Sequence, residues 1–131
     1  MKHGERGANL AEFALVAPLL IFLVFGIVDL GRAFYGYVVI TNAVREGARY
    51  GSRFTDDREA EIQAIVLTEI DRSGASGVLT SSSCTDPTVN KASDSTGYEI
   101  RFRVSCDINL LTPLFEDWTI GNQAAMKIIG L

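Results

Sequence analysis

The chain has 131 residues, 47% of them hydrophobic, which leaves room for one membrane segment and one small domain but not for a second large domain. Its net charge of -4 at pH 7 gives no basic footprint for DNA or RNA. We therefore expect no nucleic-acid partner.

The first predicted element is a long apolar helix near the N-terminus. Residues 13–28 include no charged or strongly polar side chain, and Glu12 is the one ionisable group in 8–28. At about 1.5 Å of rise per residue, a helix over 8–28 is roughly 30 Å long, which matches the hydrocarbon thickness of a bilayer. Lys2 and Arg6 precede it, so the positive-inside tendency places the N-terminus in the cytoplasm and the rest of the chain outside.

The helical pattern continues beyond the apolar run. Apolar residues recur at helical spacing at Ile27, Leu30, Phe34 and Val38, and no turn cluster interrupts the chain before Phe54. We therefore predict one helix over 8–54. A secretory signal peptide would instead lead into a small-x-small cleavage site and polar sequence. A plain signal anchor that tethers an outer domain is the remaining alternative.

Neither a secretory signal peptide nor a plain signal anchor explains why a carboxylate, Glu12, lies within the apolar segment. A carboxylate inside a spanning segment costs a few kcal/mol even on lenient insertion scales, and such groups usually have a partner. Since residues 8–28 contain no other charge, the partner has to come from the chain terminus or from another chain. The competing interpretation is that Glu12 extends to the nearby membrane surface.

The first half of the chain resembles a known family. Gly7, Ala8 and then Glu12-Phe13 before an unbroken apolar run are similar to the class III signal of type IV pilins and pseudopilins. The stretches 11–18, 26–34 and 42–52 narrow the resemblance to the TadE-like minor pilins of tight-adherence (Tad, type IVc) systems. It covers about residues 6–54 well and the rest only loosely. Major pilins of these systems are usually much shorter, which favours a minor pilin over a large major subunit.

The resemblance implies a processing and assembly route. A prepilin peptidase would cut between Gly7 and Ala8, remove the leader 1–7 and create an α-amino group at Ala8 with an unperturbed pKa near 8. That ammonium would meet Glu12 between neighbouring helices, with Glu12 and Phe13 acting in subunit assembly. The implied partners are the peptidase, other Tad pilins (major and minor) and the inner-membrane assembly platform with its ATPase. The implied location is the inner membrane, single-pass with the N-terminus inside, and then the extracellular pilus.

Three further features of the long helix carry predictions. Pro18 removes one backbone hydrogen bond and marks either a kink used in filament packing or an ordinary tolerated membrane-helix kink. Phe34, Tyr35 and Tyr37 are expected in the aromatic belt at the outer membrane boundary. A cationic stripe follows, at Arg45, Arg49 and Arg53, and a solvated face that complements the helix dipole is favoured there over intersubunit ion pairs.

Residues 55–131 are predicted to form a small extracytoplasmic α+β domain. Apolar spacing predicts a helix over 57–72, and strict alternation predicts a half-buried strand over 98–108. Residues 78–84 and 118–129 are weaker strand candidates, whereas 85–97, rich in Ser, Thr, Asp and Asn, is predicted to be a loop. The expected fold is therefore α+β and pilin-like: a long membrane-embedded helix, a short helix and a small antiparallel β-sheet.

The chain has two cysteines and no recognised catalytic motif. A disulfide between Cys84 and Cys106 would contribute about 3 kcal/mol in the chain-entropy picture, with two unpaired cysteines as the alternative. The single histidine, His3, lies in the proposed leader, and the chain has no P-loop, nucleophile elbow or metal-binding spacing. We expect no enzyme, cofactor or metal, and the alternative function is a signal-anchored membrane protein whose outer domain binds a partner without forming filaments.

Overall fold

The computed structural model describes residues 3–53, 58–85, 87–94, 97–111 and 118–127. Its elements are the helices α1 (His3–Gly51) and α2 (Glu59–Arg72) and the strands β1 (Thr88–Asp94), β2 (Gly97–Asp107) and β3 (Thr119–Lys127). The strands form one antiparallel sheet in the order β1-β2-β3. The predicted α+β, pilin-like architecture is confirmed.

Helix α1 has 49 residues in two different environments. Its N-terminal half exposes large apolar side chains, whereas its C-terminal half buries one face, which includes Ala33, Ile40 and Ala48. The helix ends at Gly51, slightly before the predicted end at residue 54. A turn closes it, because the Ser52 amide donates to the Ala48 carbonyl and the Arg53 amide to the Tyr50 carbonyl.

Helix α2 packs along the C-terminal half of α1. Its apolar residues Ile62, Val66 and Ile70 recur at intervals of four and are all buried. It occupies most of the predicted span 57–72 and begins at Glu59. A continuous core therefore forms between the two helices and the sheet.

Strand β2 is the centre of the sheet and confirms the predicted half-buried strand. Phe102, Val104 and Cys106 are fully buried on one face, and the intervening Arg101 and Arg103 are exposed. The alternation works because successive side chains of a strand point to opposite faces, so one face covers the helices and the other faces solvent.

Two sequence predictions in this region are wrong. Residues 85–97, predicted to be a loop, contain β1, which pairs with β2 from Thr88↔Arg103 to Asp94↔Gly97. Pairing along an edge satisfies the backbone of polar residues whose intrinsic preference is for turns. Residues 78–84, a strand candidate, form a loop with a short 3-10 turn at Ser81–Ser83. Hydrogen bonds within this segment compete with the backbone pairing of a strand. The Thr80 amide donates to the Ser83 hydroxyl, and the Ser83 hydroxyl donates to the Thr80 carbonyl.

The same loop is joined to the sheet covalently. Cys84 and Cys106 form a disulfide and are also the two partners of an isolated antiparallel bridge. Next to it, the Thr85 amide donates to the Ser105 carbonyl at 2.8 Å. The disulfide therefore fixes the loop that follows α2 onto the buried face of β2.

Candidate functional site: the exposed helix and its junction with the domain

The predicted processing and assembly segment lies in the first turns of α1. Gly7 and Glu12 are exposed, and Phe13 is 68% exposed. The backbone at Ala8 is helical, so Ala8 and Glu12 occupy positions one turn apart on the same helix face. A glycine inside a helix costs about 1 kcal/mol relative to alanine, which makes the turn around Gly7 a weak part of the helix.

Glu12 is not paired within the fold as far as the structure describes it. The ion pairs among the described residues involve Glu46, Glu61, Glu69 and Glu99, with arginine partners, and not Glu12. The carboxylate is therefore presented on the outside of α1, next to Phe13.

The apolar part of α1 is exposed on every side. Leu10, Leu15, Leu19, Phe22 and Ile27 each expose more than half of their surface, although together they sample the full circumference of the helix. By length and composition, the segment Asn9–Gly51 is sufficient to cross a membrane. Pro18 lies inside this helix, which continues unbroken through it. A helix that is apolar all round needs either lipid or other helices around it.

Beyond the apolar run, α1 presents an exposed aromatic set. Phe34 is 68% exposed, Tyr35 44% and Tyr37 45%. The Tyr35 hydroxyl donates to the Ser73 carbonyl at 3.1 Å, so this ring also holds the end of α2 against α1. The predicted belt positions are thus free of the core and lie where the domain begins.

Asp29 ties α1 to the chain after β2. The residue is 4% exposed, and its Oδ1 accepts the backbone N–H of Leu111 at 2.8 Å. A buried carboxylate is stabilised by such a charge-assisted hydrogen bond, which also satisfies an amide that no strand pairs. Sequence reasoning gave Asp29 no role, and the one available signal was its position directly after the apolar run.

Arg32, one turn further on, holds two loops at once. Its Nε and Nη2 donate to the Asn109 carbonyl at 3.1 and 2.9 Å, and Nη2 also donates to the Gly77 carbonyl. The planar guanidinium suits this role because its donors point in fixed directions. Asp29 and Arg32 together form what we call the junction clamp, since they fasten the chain around Gly77 and around 109–111 to α1.

A small apolar pocket adjoins the junction clamp. It measures about 110 Å³ and is lined by Gly26, Asp29, Leu30, Leu110 and Trp118. Trp118 is 48% exposed, and its carbonyl accepts the Ile108 amide at 3.0 Å, which holds it at the end of the sheet. The pocket therefore places the single tryptophan of the chain beside the last turn of the apolar run.

At the opposite end of α1, the arginines predicted to form a cationic stripe are exposed. Arg49 donates from Nε and Nη2 to the two carboxylate oxygens of Glu46, at 3.1 and 2.8 Å. This hydrogen bond lowers the pKa of Glu46 below its ordinary value. Nearby, the Tyr50 hydroxyl donates to Glu61 at 2.9 Å, which raises the pKa of Tyr50 and links the end of α1 to the start of α2.

Within the part of the chain that the structure describes, no group of three or more His, Cys, Asp or Glu side chains is arranged to hold a metal ion. Both cysteines are committed to the disulfide. The described features with functional potential include three surfaces: the exposed apolar helix, its first turns and the junction clamp.

Comparison with known proteins gives a match within α1. A family model described as TadE-like protein matches residues 7–49, which lie wholly within α1. The resemblance to TadE-like proteins is thereby confirmed over that segment. No curated protein and no solved structure matches the chain.

Proposed function

We propose that this chain, whose residues 7–49 match the TadE-like family, is a Tad pilus-associated protein and, more specifically, a structural minor pilin rather than an enzyme. One observation carries the proposal: the matched segment includes an apolar stretch of α1 that is exposed all round and begins with Gly7, Ala8 and Glu12. Such a stretch is suited to two successive environments, the lipid bilayer and a bundle of like helices.

The proposed sequence of events follows from this arrangement. The chain enters the inner membrane with its N-terminus inside, and a prepilin peptidase hydrolyses the Gly7–Ala8 bond. The new ammonium at Ala8 then pairs with Glu12 of an adjacent subunit as the helices leave lipid and pack together. Removal of one partner of a buried ion pair costs about 3 to 5 kcal/mol, so the pair sets the register between subunits.

The proposed partners follow from the same route. They are the prepilin peptidase, other Tad pilins and the inner-membrane platform with its ATPase, and the final location is an extracellular pilus that serves surface adherence. The domain formed by α2 and the sheet would be displayed outside the helical bundle. The alternative function is a signal-anchored protein that does not polymerise. The experiments below distinguish it from a minor pilin.

Processing is tested by the intact mass and the N-terminal sequence of the protein from native membranes. We expect the mature chain to start at Ala8 and Gly7→Val to retain residues 1–7, because a β-branched side chain next to the scissile bond blocks the peptidase. Gly31→Val is the matched control, since a Cβ at either glycine meets nothing within 4 Å. A native protein that still starts at Met1 would contradict the proposal.

Assembly is tested by Glu12→Ala. We expect a processed and membrane-inserted subunit whose ratio of pilus to membrane form falls roughly a hundred-fold, because an unpaired ammonium remains in the helix bundle. Glu46→Ala is the control on the same helix, where the acid pairs with exposed Arg49 of its own chain. Quantitative immunoblots of purified pili and membranes supply the ratio, and unchanged incorporation of Glu12→Ala would refute the pairing.

A further inference from the structure

The apolar run of α1 and the folded domain overlap along the helix axis. Trp118 and Leu110 line the same pocket as Gly26 and Leu30, so the end of the domain reaches down to the last turn of the run. With about 1.5 Å of rise per residue, Gly26 lies about 3 Å inside the end of the run at Val28, and Arg32 lies about 6 Å beyond it. The interfacial layer of a bilayer is roughly 5 to 8 Å thick on each side, so a layer that begins at Val28 reaches about as far as Arg32.

Among the described residues, three large apolar side chains are exposed at this level. Leu30 is 67% exposed, Leu111 55% and Trp118 48%. They come from α1, from the chain after β2 and from the start of β3, and we call them the apolar rim. Tryptophan at such a position is typical of membrane interfaces, because the ring is amphipathic.

Two charged groups at the same level, Asp29 and Arg32, have hydrogen-bond partners inside the protein. Asp29 accepts the Leu111 amide, and Arg32 donates to the carbonyls of Asn109 and Gly77. A charged group that is already hydrogen-bonded loses less on leaving bulk water than one that is solvated alone. The junction clamp therefore lets this end of the domain approach a medium of low polarity.

We propose that the apolar rim of the domain docks into the interfacial layer of the bilayer while the subunit is stored in the membrane. The occupant is lipid rather than another protein, because the rim is covalently continuous with the spanning helix and begins at Leu30, two residues beyond the end of its apolar run. Docking fixes the depth of α1 and the orientation of the domain. This inference rests on the membrane anchoring in the proposed function.

Trp118 is the natural reporter, because it is the single tryptophan of the chain. The full chain is reconstituted in phosphatidylcholine vesicles, and co-flotation with the vesicles measures anchoring separately. Docking is measured by quenching of Trp118 with phosphatidylcholine brominated at shallow or deep positions of the acyl chain. We expect loss of most of the emission with the shallow label, weaker quenching with the deep label, and protection from aqueous acrylamide.

The control moves the reporter away from the membrane. In Trp118→Phe/Gln123→Trp, the tryptophan lies next to Asn122, whose amide donates to the Thr41 hydroxyl at 2.6 Å. Thr41 is about 20 Å beyond Val28 along α1, so this tryptophan should escape brominated lipid and be quenched by acrylamide.

A second pair of variants tests the rim itself. Leu111→Glu should reduce the quenching of Trp118 by lipid, whereas Ala60→Glu, exposed at the start of α2, should leave it unchanged.

The outcomes separate the two proposals. A chain that floats with the vesicles but whose Trp118 is as accessible to acrylamide as the tryptophan at position 123 is anchored and not docked, which overturns the inference alone. A chain that does not float overturns the anchoring, and the docking with it. Flotation with selective quenching of Trp118 supports the inference.

Discussion

At the scale of single residues, the junction clamp shows why two opposite charges directly follow an apolar run. Asp29 and Arg32 serve mainly as hydrogen-bonding groups for backbone that no strand pairs, at Leu111, Asn109 and Gly77. Each bond joins residues far apart in the sequence, so the clamp sets the position of the domain on the helix. These groups stabilise the fold because a buried amide or carboxylate without a hydrogen-bond partner costs free energy.

The contribution of the Asp29 carboxylate can be measured by substitution. Asp29→Ala removes the acceptor of the Leu111 amide and is expected to lower the free energy of unfolding by about 1 to 3 kcal/mol. Asp29→Asn keeps an acceptor oxygen and should retain most of that stability. Hydrogen exchange at the Leu111 amide of the full chain in detergent micelles tests this: exchange should accelerate strongly in the alanine variant only. Equal protection in all three proteins would show that the bond is unimportant.

At the scale of elements, α1 changes its side-chain pattern where its surroundings change. Small residues lie on the buried side of its C-terminal half, and two of the glycines there meet neighbours closely. A Cβ at Gly36 would lie 3.0 Å from Leu79, and one at Gly47 would overlap Val66 of α2. Gly26 and Gly31, in contrast, face open space. The glycine at position 47 therefore permits the close packing of α1 against α2.

The second prediction compares two glycines of the same helix. Gly47→Ala forces a methyl group against Val66 and is expected to destabilise the fold by about 1 to 3 kcal/mol, the usual cost of overpacking. Gly31→Ala adds a methyl group in open space and should stabilise the isolated subunit by about 0.5 to 1 kcal/mol through helix propensity. Urea unfolding of both variants in micelles measures the difference, and a tolerated Gly47→Ala would refute the packing argument.

At the scale of the whole molecule, the core crosses the predicted boundary between residues 54 and 55. Ile40 and Val44 of α1 are as fully buried as Val66 of α2 and Phe102 of β2, and all four belong to one cluster. The C-terminal half of α1 therefore shares one core with α2 and the sheet, whereas the apolar side chains of its N-terminal half are exposed. The exposed apolar stretch and the domain therefore share one continuous helix.

The third prediction concerns the covalent link in that domain. Cys84→Ala/Cys106→Ala is expected to lower the free energy of unfolding of the full chain by about 3 kcal/mol, because the unfolded chain gains the freedom of the opened loop. Dithiothreitol should destabilise the native protein by a similar amount and leave the double variant unchanged. Identical urea midpoints for the oxidised and reduced protein would contradict this.

The sequence by itself determined the features that depend on local pattern. An unbroken apolar run specifies α1, strict alternation specifies β2, and the Gly7 to Phe13 motif indicates the TadE-like family, because periodicity and motif spacing are readable without knowledge of contacts. Tertiary structure decided the rest. The polar strand β1 exists because β2 pairs with it, Gly47 matters because Val66 packs on it, and Asp29 and Arg32 matter because two distant loops end beside them. Each of these features depends on a partner remote in the chain, and therefore local sequence patterns predicted it wrongly or did not predict it.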